Sequence, residues 1–111
     1  MTTLAVHNPA TGEVIAALQA DDAASVAAKA AAARAAQPAW AATPLAARKA
    51  CVERFRAGVV RELESLAVTM TRETGKPVRM SRNELNGLLG RIDFFLKEVE
   101  LATSTVTVFD D

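Results

Sequence analysis

Arg72-Glu73-Thr74-Gly75-Lys76-Pro77 separates the two longest runs of helical spacing in the chain. Apolar residues recur every three or four positions up to Met70. Gly75 can take the left-handed conformation that closes a helix, and Pro77 has the fixed φ suited to a first helical position. The hexapeptide therefore predicts a helix end, a tight reversal and a new helix start, and a pair of helices becomes the frame of the fold.

Upstream of it, Val52, Phe55, Val59, Leu63, Leu66 and Met70 form one stripe, with Arg48, Glu53, Arg54, Arg61, Glu62 and Glu64 largely on other faces. This predicts a helix over 43–73, opened by the hydroxyl of Thr43 and by Pro44, with Gly58 as a point where a neighbour approaches the backbone. Downstream, Leu88, Ile92, Phe95 and Val99, flanked by Leu85, Leu89 and Leu96, predict a helix over 77–101 with a wide apolar face. Gly87 and Gly90 lie one turn apart in it, which would admit another element closely.

The remaining elements are shorter on core material. Asp21 and Asp22 cap a helix over 21–37 that is rich in Ala, with Val26 as its one large apolar residue. Gln37-Pro38 ends it, and Trp40 just beyond covers the end. Residues 4–18 read as a β-hairpin reversing at Asn8-Pro9-Ala10-Thr11-Gly12, with positive φ at the glycine. Residues 104–109, rich in Thr and Val, read as a strand. The expected fold is mainly α, with a short N-terminal β-hairpin and a C-terminal strand.

Composition narrows the functions open to such a chain. Thirteen basic residues balance thirteen acidic ones in 111 residues, so no net field gathers nucleic acid or an anionic membrane. A single cysteine, Cys51, leaves no intramolecular disulfide to form, and no apolar run approaches membrane-spanning length, so the sequence predicts a soluble, cytoplasmic protein. Half the residues are hydrophobic, but Ala supplies much of that and Tyr is absent, so large core side chains are few.

Residues able to carry chemistry are sparse. Cys51 has Arg48 and Arg54 one turn away, yet its place beside Val52 inside a helix reads as a half-buried structural thiol. His7 precedes the hairpin turn without a second ligand at metal-binding spacing. Lys76 stands where helical N–H groups point outward and an anion could bind, although the carbonyls of the preceding helix already account for a lysine there. Glu84 is a lone carboxylate near Arg82, read as solvated or ion-paired. The glycines of Gly87-Leu88-Leu89-Gly90 enclose apolar residues, which argues for packing rather than an RNA clamp. There is no dinucleotide fingerprint and no phosphate loop.

Four phrases in register resemble the N-terminal segment of the NAD(P)-dependent aldehyde dehydrogenase superfamily. They are Asn8-Pro9-Ala10-Thr11-Gly12-Glu13-Val14-Ile15, Gln37-Pro38-Ala39-Trp40, Thr43-Pro44-Leu45-Ala46-Ala47-Arg48, and Glu73-Thr74-Gly75-Lys76-Pro77 followed by Glu84. The departures are Gln37, where the family often has an aromatic, and the loosening residues Asn83, Asn86, Gly87 and Gly90. The resemblance implies a segment packed against the cofactor-binding α/β domain, with residues 105–109 starting the oligomerisation arm. It implies oxidation of an aldehyde to a carboxylic acid with NAD or NADP in the complete enzyme, through a cysteine, a glutamate base and an asparagine that have no matching positions here. The expectation is thus one incomplete domain over 1–111, inactive alone and binding no cofactor or metal of its own, with Leu88 reaching the substrate tunnel. Its expected partner is the remainder of the enzyme chain. The rival expectation is a stand-alone helical module that associates with itself or another protein through its apolar helix faces.

Overall fold

The computed structural model describes residues 2–110, in the order β1 (Thr3–His7), β2 (Val14–Gln19), α1 (Ala23–Ala42), α2 (Leu45–Arg61), α3 (Leu63–Thr74) and α4 (Val78–Thr103). β1 and β2 form an antiparallel pair in which Leu4 faces Leu18 and Val6 faces Ala16. The register slips between Val6 and His7, and His7 pairs with Val14, leaving Ile15 as the extra residue of a bulge. Gly12 reverses the chain at φ 77°, donating its N–H to the Asn8 carbonyl, while the Asn8 side chain accepts from the Ala10 N–H at 2.9 Å.

The core sits where α2 and α3 meet α4. Val59, Ala67 and Leu85 are buried together, and Leu63, Met70, Val78 and Leu89 pack against them. Two small side chains between these helices have no exposed surface: Ala67 of α3, which packs with Val59 and Leu85, and Ser81 of α4, which faces Thr71. The hydroxyls of Thr71 and Ser81 lie 2.8 Å apart, so the one buried polar side chain of this contact is hydrogen-bonded. Nothing comes within 4 Å of a side chain built at Gly87 or Gly90, and only the tip of Arg61 reaches that distance at Gly58. The expectation that these glycines mark close contacts is corrected: Gly87 and Gly90 lie exposed, and the small residues buried between α3 and α4 are Ala67 and Ser81.

Ion pairs fix how the helices run. Lys49–Glu100 at 2.8 Å and the bidentate Arg56–Asp93 pair at 2.6 and 2.8 Å set α2 antiparallel to α4. Arg82 grips Glu64 with three contacts of 2.9–3.1 Å and ties α3 to the first turns of α4. The arginine beside each of Asp93 and Glu64, and Lys49 beside Glu100, hold these carboxyls below their ordinary range. Gly75, at φ 76°, closes α3 as expected. A side chain there would come to 3.0 Å from the Pro9 ring, so the hairpin turn rests on this glycine.

Three element boundaries differ from those expected. The helix predicted over 21–37 continues through Pro38 to Ala42, placing Trp40 inside it. A helical proline forfeits a hydrogen bond at about 3 kcal/mol. Here Arg34, whose carbonyl is freed, is exposed to water, and the flanking alanines favour helix strongly. Thr43 then ends α1, its N–H on the Trp40 carbonyl and its hydroxyl on that of Ala39, rather than opening the next helix. The helix predicted over 43–73 breaks at Glu62 (φ −100°, ψ 11°), not at Gly58. Ser65 donates its hydroxyl to the Glu62 carbonyl at 2.9 Å and so supports the break, which lets α2 and α3 each turn an apolar side to α4. The strand predicted over 104–109 does not form: α4 runs on to Thr103, and residues 104–110 have no ladder partner, since β1 and β2 pair with each other.

The chain is extended, with a radius of gyration of 19.6 Å and axes of 68 × 39 × 24 Å, against roughly 13 Å expected for a packed domain of this length. α1 has no buried residue. The accessible surface of 8622 Å² is nearly half as large again as the roughly 5,900 Å² expected for a compact monomer of 11.7 kDa. Much of the predicted stripe is therefore uncovered, Phe55 at 58% and Phe95 at 65% exposed.

Two outcomes follow from this packing. Gly90→Ala should stabilise the helical unit by about 0.5–1 kcal/mol, because helix propensity improves and the added methyl meets nothing, whereas Ala67→Leu should cost about 1–3 kcal/mol by overfilling the crossing. Chemical denaturation read by circular dichroism tests both. The lowered carboxyls make the second expectation one of pH. Their ion pairs contribute fully above the ordinary values of 3.8 and 4.5 and are lost as pH falls through the lower folded-state values. Thermal midpoints should hold level down to about pH 5 and then fall, and Asp93→Asn should reduce that fall.

Candidate functional site

α4 presents a cleft on either side. A groove of about 670 Å³ lies between the first half of α2 and the last half of α4, with Trp40 at its end and Leu45, Val52, Ile92, Phe95 and Leu101 along it. Phe94 and Phe95 stack edge to face beside it, their centroids 5.4 Å apart. The second cleft, of about 350 Å³, opens between the end of α3 and the middle of α4. Its lining is Met70, Glu84, Leu85, Gly87, Leu88 and Arg91. Leu88 was the one residue singled out from the sequence for contact with substrate, and the structure places it here, 36% exposed. Arg91 was overlooked, although its position three residues after Leu88 puts the two on one helical face.

The other candidates are dispersed. The Cys51 thiol is half-buried and accepts from the Arg54 guanidinium at 2.9 Å, with no carboxylate or imidazole beside it to act as base. His7 sits in the hairpin, its Nδ1 3.3 Å from the Gly12 carbonyl oxygen. Lys76 is bound by the Glu84 carboxylate, so the cation expected to draw an anion and the carboxylate considered as a base neutralise one another across the first turns of α4. Arg82, expected near Glu84, is instead held by Glu64. Among the described residues, no group of three or more His, Cys, Asp or Glu is placed to hold a metal ion. No helix of the described residues is long and apolar enough to cross a membrane.

A dinucleotide needs backbone N–H groups and positive charge at a helix start to hold its pyrophosphate. The starts of α1 and α3 do not fit that demand. α1 opens with the carboxylates of Asp21 and Asp22, kept charged by Lys29 and by the Ser25 hydrogen bonds that close a capping box. α3 opens with Glu62 and Glu64, and the lysine before α4 is already paired. One apolar groove, a smaller cleft lined by both apolar and charged side chains, and a surface of ion pairs are thus what the described residues offer.

Comparison with known proteins gives these clefts a context. The family model for the aldehyde dehydrogenase family matches residues 1–110. The N-succinylglutamate 5-semialdehyde dehydrogenase of Novosphingobium aromaticivorans is 37% identical over 98 residues, covering 88% of this chain and 20% of that protein. Its namesake in Escherichia coli O157:H7 is 38% identical over 97 residues, with 87% and 20% covered. That of Burkholderia mallei is 42% identical over 92 residues, with 80% and 18% covered. The chain therefore spans about a fifth of the length of the curated relatives it matches. With a match running from the hairpin through α4, this chain belongs to the aldehyde dehydrogenase family.

Proposed function

We propose that residues 1–111 serve as the N-terminal segment of an enzyme that oxidises an aldehyde to a carboxylic acid with NAD or NADP, and that they are inactive alone. The carrying observation is the uncovered apolar surface: Phe55, Phe94, Phe95 and Leu101 are 58–76% exposed on α2 and α4. An apolar excess on this scale is what an obligate interface covers. In this reading the remainder of the enzyme chain covers the 670 Å³ groove and α1, and residues 104–109 gain the strand partner they lack here. The nucleophile, the base and the dinucleotide site belong to that remainder. This segment contributes the wall of the substrate tunnel at Leu88. The similarity to N-succinylglutamate 5-semialdehyde dehydrogenases supports an acidic semialdehyde as substrate. A reducing cytoplasm suits the lone thiol of Cys51.

A second reading, self-association as a helical module, is favoured by the aromatic cluster at the groove, since Trp40 and the Phe94–Phe95 pair suit a protein interface.

The two readings separate on expression of the full reading frame beside residues 1–111 alone. The first expects nicotinamide reduction with an acidic semialdehyde from the full product. It expects none from 1–111, which should bind an apolar dye and sediment as a loose or aggregating species. A compact, cooperatively melting dimer of 1–111 supports the module. A rigid monomer that binds no dye, or that turns over aldehyde, overturns the first reading.

A further inference from the structure

Gly87, Leu88 and Arg91 share one face of α4, and with Met70 and Leu85 they line the 350 Å³ cleft. Most of the chain's cations are spent on carboxylates: Arg56 on Asp93, Arg82 on Glu64, Lys49 on Glu100, Lys76 on Glu84. Among the described residues, Arg91 enters no ion pair or side-chain hydrogen bond, and its side chain is exposed along the cleft. The acidic residue of the same lining, Glu84, is held by Lys76 and stands seven residues earlier, roughly 10 Å along the helix axis, too far to neutralise Arg91. The cleft thus carries one uncommitted positive charge next to the apolar side chains of Met70, Leu85 and Leu88.

We infer that Arg91 sets specificity for an aldehyde that carries a carboxylate. A planar guanidinium receives a carboxylate through two parallel N–H bonds, a match that a neutral group cannot supply. Leu88 and Met70 border the methylenes between the two ends of such a substrate, and the aldehyde points away from Arg91 towards the reacting groups of the remainder. Arg91 touches no reacting atom in this arrangement. It raises the affinity of acidic aldehydes in ground state and transition state alike, so its removal acts on KM. The inference rests on the reading that the Leu88 cleft receives substrate.

The test compares wild type, Arg91→Met and Arg91→Lys in the full-length enzyme, with N-succinylglutamate 5-semialdehyde and with hexanal as a neutral aldehyde. Arg91→Met should lower kcat/KM for the acidic aldehyde about 10- to 100-fold, mainly through KM, and leave hexanal within about twofold. Arg91→Lys keeps the charge without the planar fork and should recover part of the loss. Equal losses on both aldehydes, or no loss on the acidic one, overturn the inference while the enzyme reading stands. A wild-type enzyme that oxidises neither aldehyde removes that reading, and the role of Arg91 with it.

Discussion

The packing of α3 on α4, with Ala67 against Leu85 and Thr71 against Ser81, is the constraint on which the rest of the helical unit depends. Neither Ala67 nor Ser81 has exposed surface, and small residues at these positions let α3 and α4 come close enough for Val59, Leu63, Met70, Leu85 and Leu89 to pack together. The hydrogen bond between Ser81 and Thr71 makes the burial of a hydroxyl tolerable. The ion pairs at the rim add direction rather than large stability: Arg56–Asp93 and Lys49–Glu100 select the antiparallel register of α2, and Arg82–Glu64 places α3.

Beyond that crossing the structure thins out, and the thinning explains the functional assignment. Among the described residues the buried hydrophobic side chains are those of Val59, Ala67, Leu85 and Ile92, and large side chains such as Phe55, Phe95 and Leu101 stay exposed. The hairpin touches the helices at Pro9 and Gly75, and α1 buries nothing. A segment built this way presents surface rather than enclosing it. The family relationship names the kind of protein to which such a segment belongs, while its chemistry is proposed to reside in surfaces that this one meets.

Much of the local structure was legible in the residues. Gly12 and Gly75 take positive φ where turn chemistry asks for it, Asp22 caps α1 through a reciprocal bond with Ser25, and the stripes of α2 to α4 follow their spacing. The misreadings share a cause. Pro38 reads as a terminator, but a helix face wholly in water can hydrate a freed carbonyl. Glu62 carries no breaking signal of its own, and its backbone is set by Ser65 and by two helices competing for one face of α4. Residues 104–109 have strand composition without a strand to pair with. In the candidate site, family resemblance points to Leu88, and the structure shows it lining a cleft. The availability of Arg91 was not legible in the sequence, since it depends on where the carboxylate of the same cleft, Glu84, finds its own partner.

The sequence by itself determined helix type, turn positions and family membership, because these rest on side-chain spacing and on backbone preferences that act within a few residues. Tertiary structure alone decided which stripe residues are covered, which small residues are buried between the helices and that the cation beside Leu88 has no carboxylate partner. Those outcomes depend on residues distant in the chain, whose mutual distances no local preference encodes.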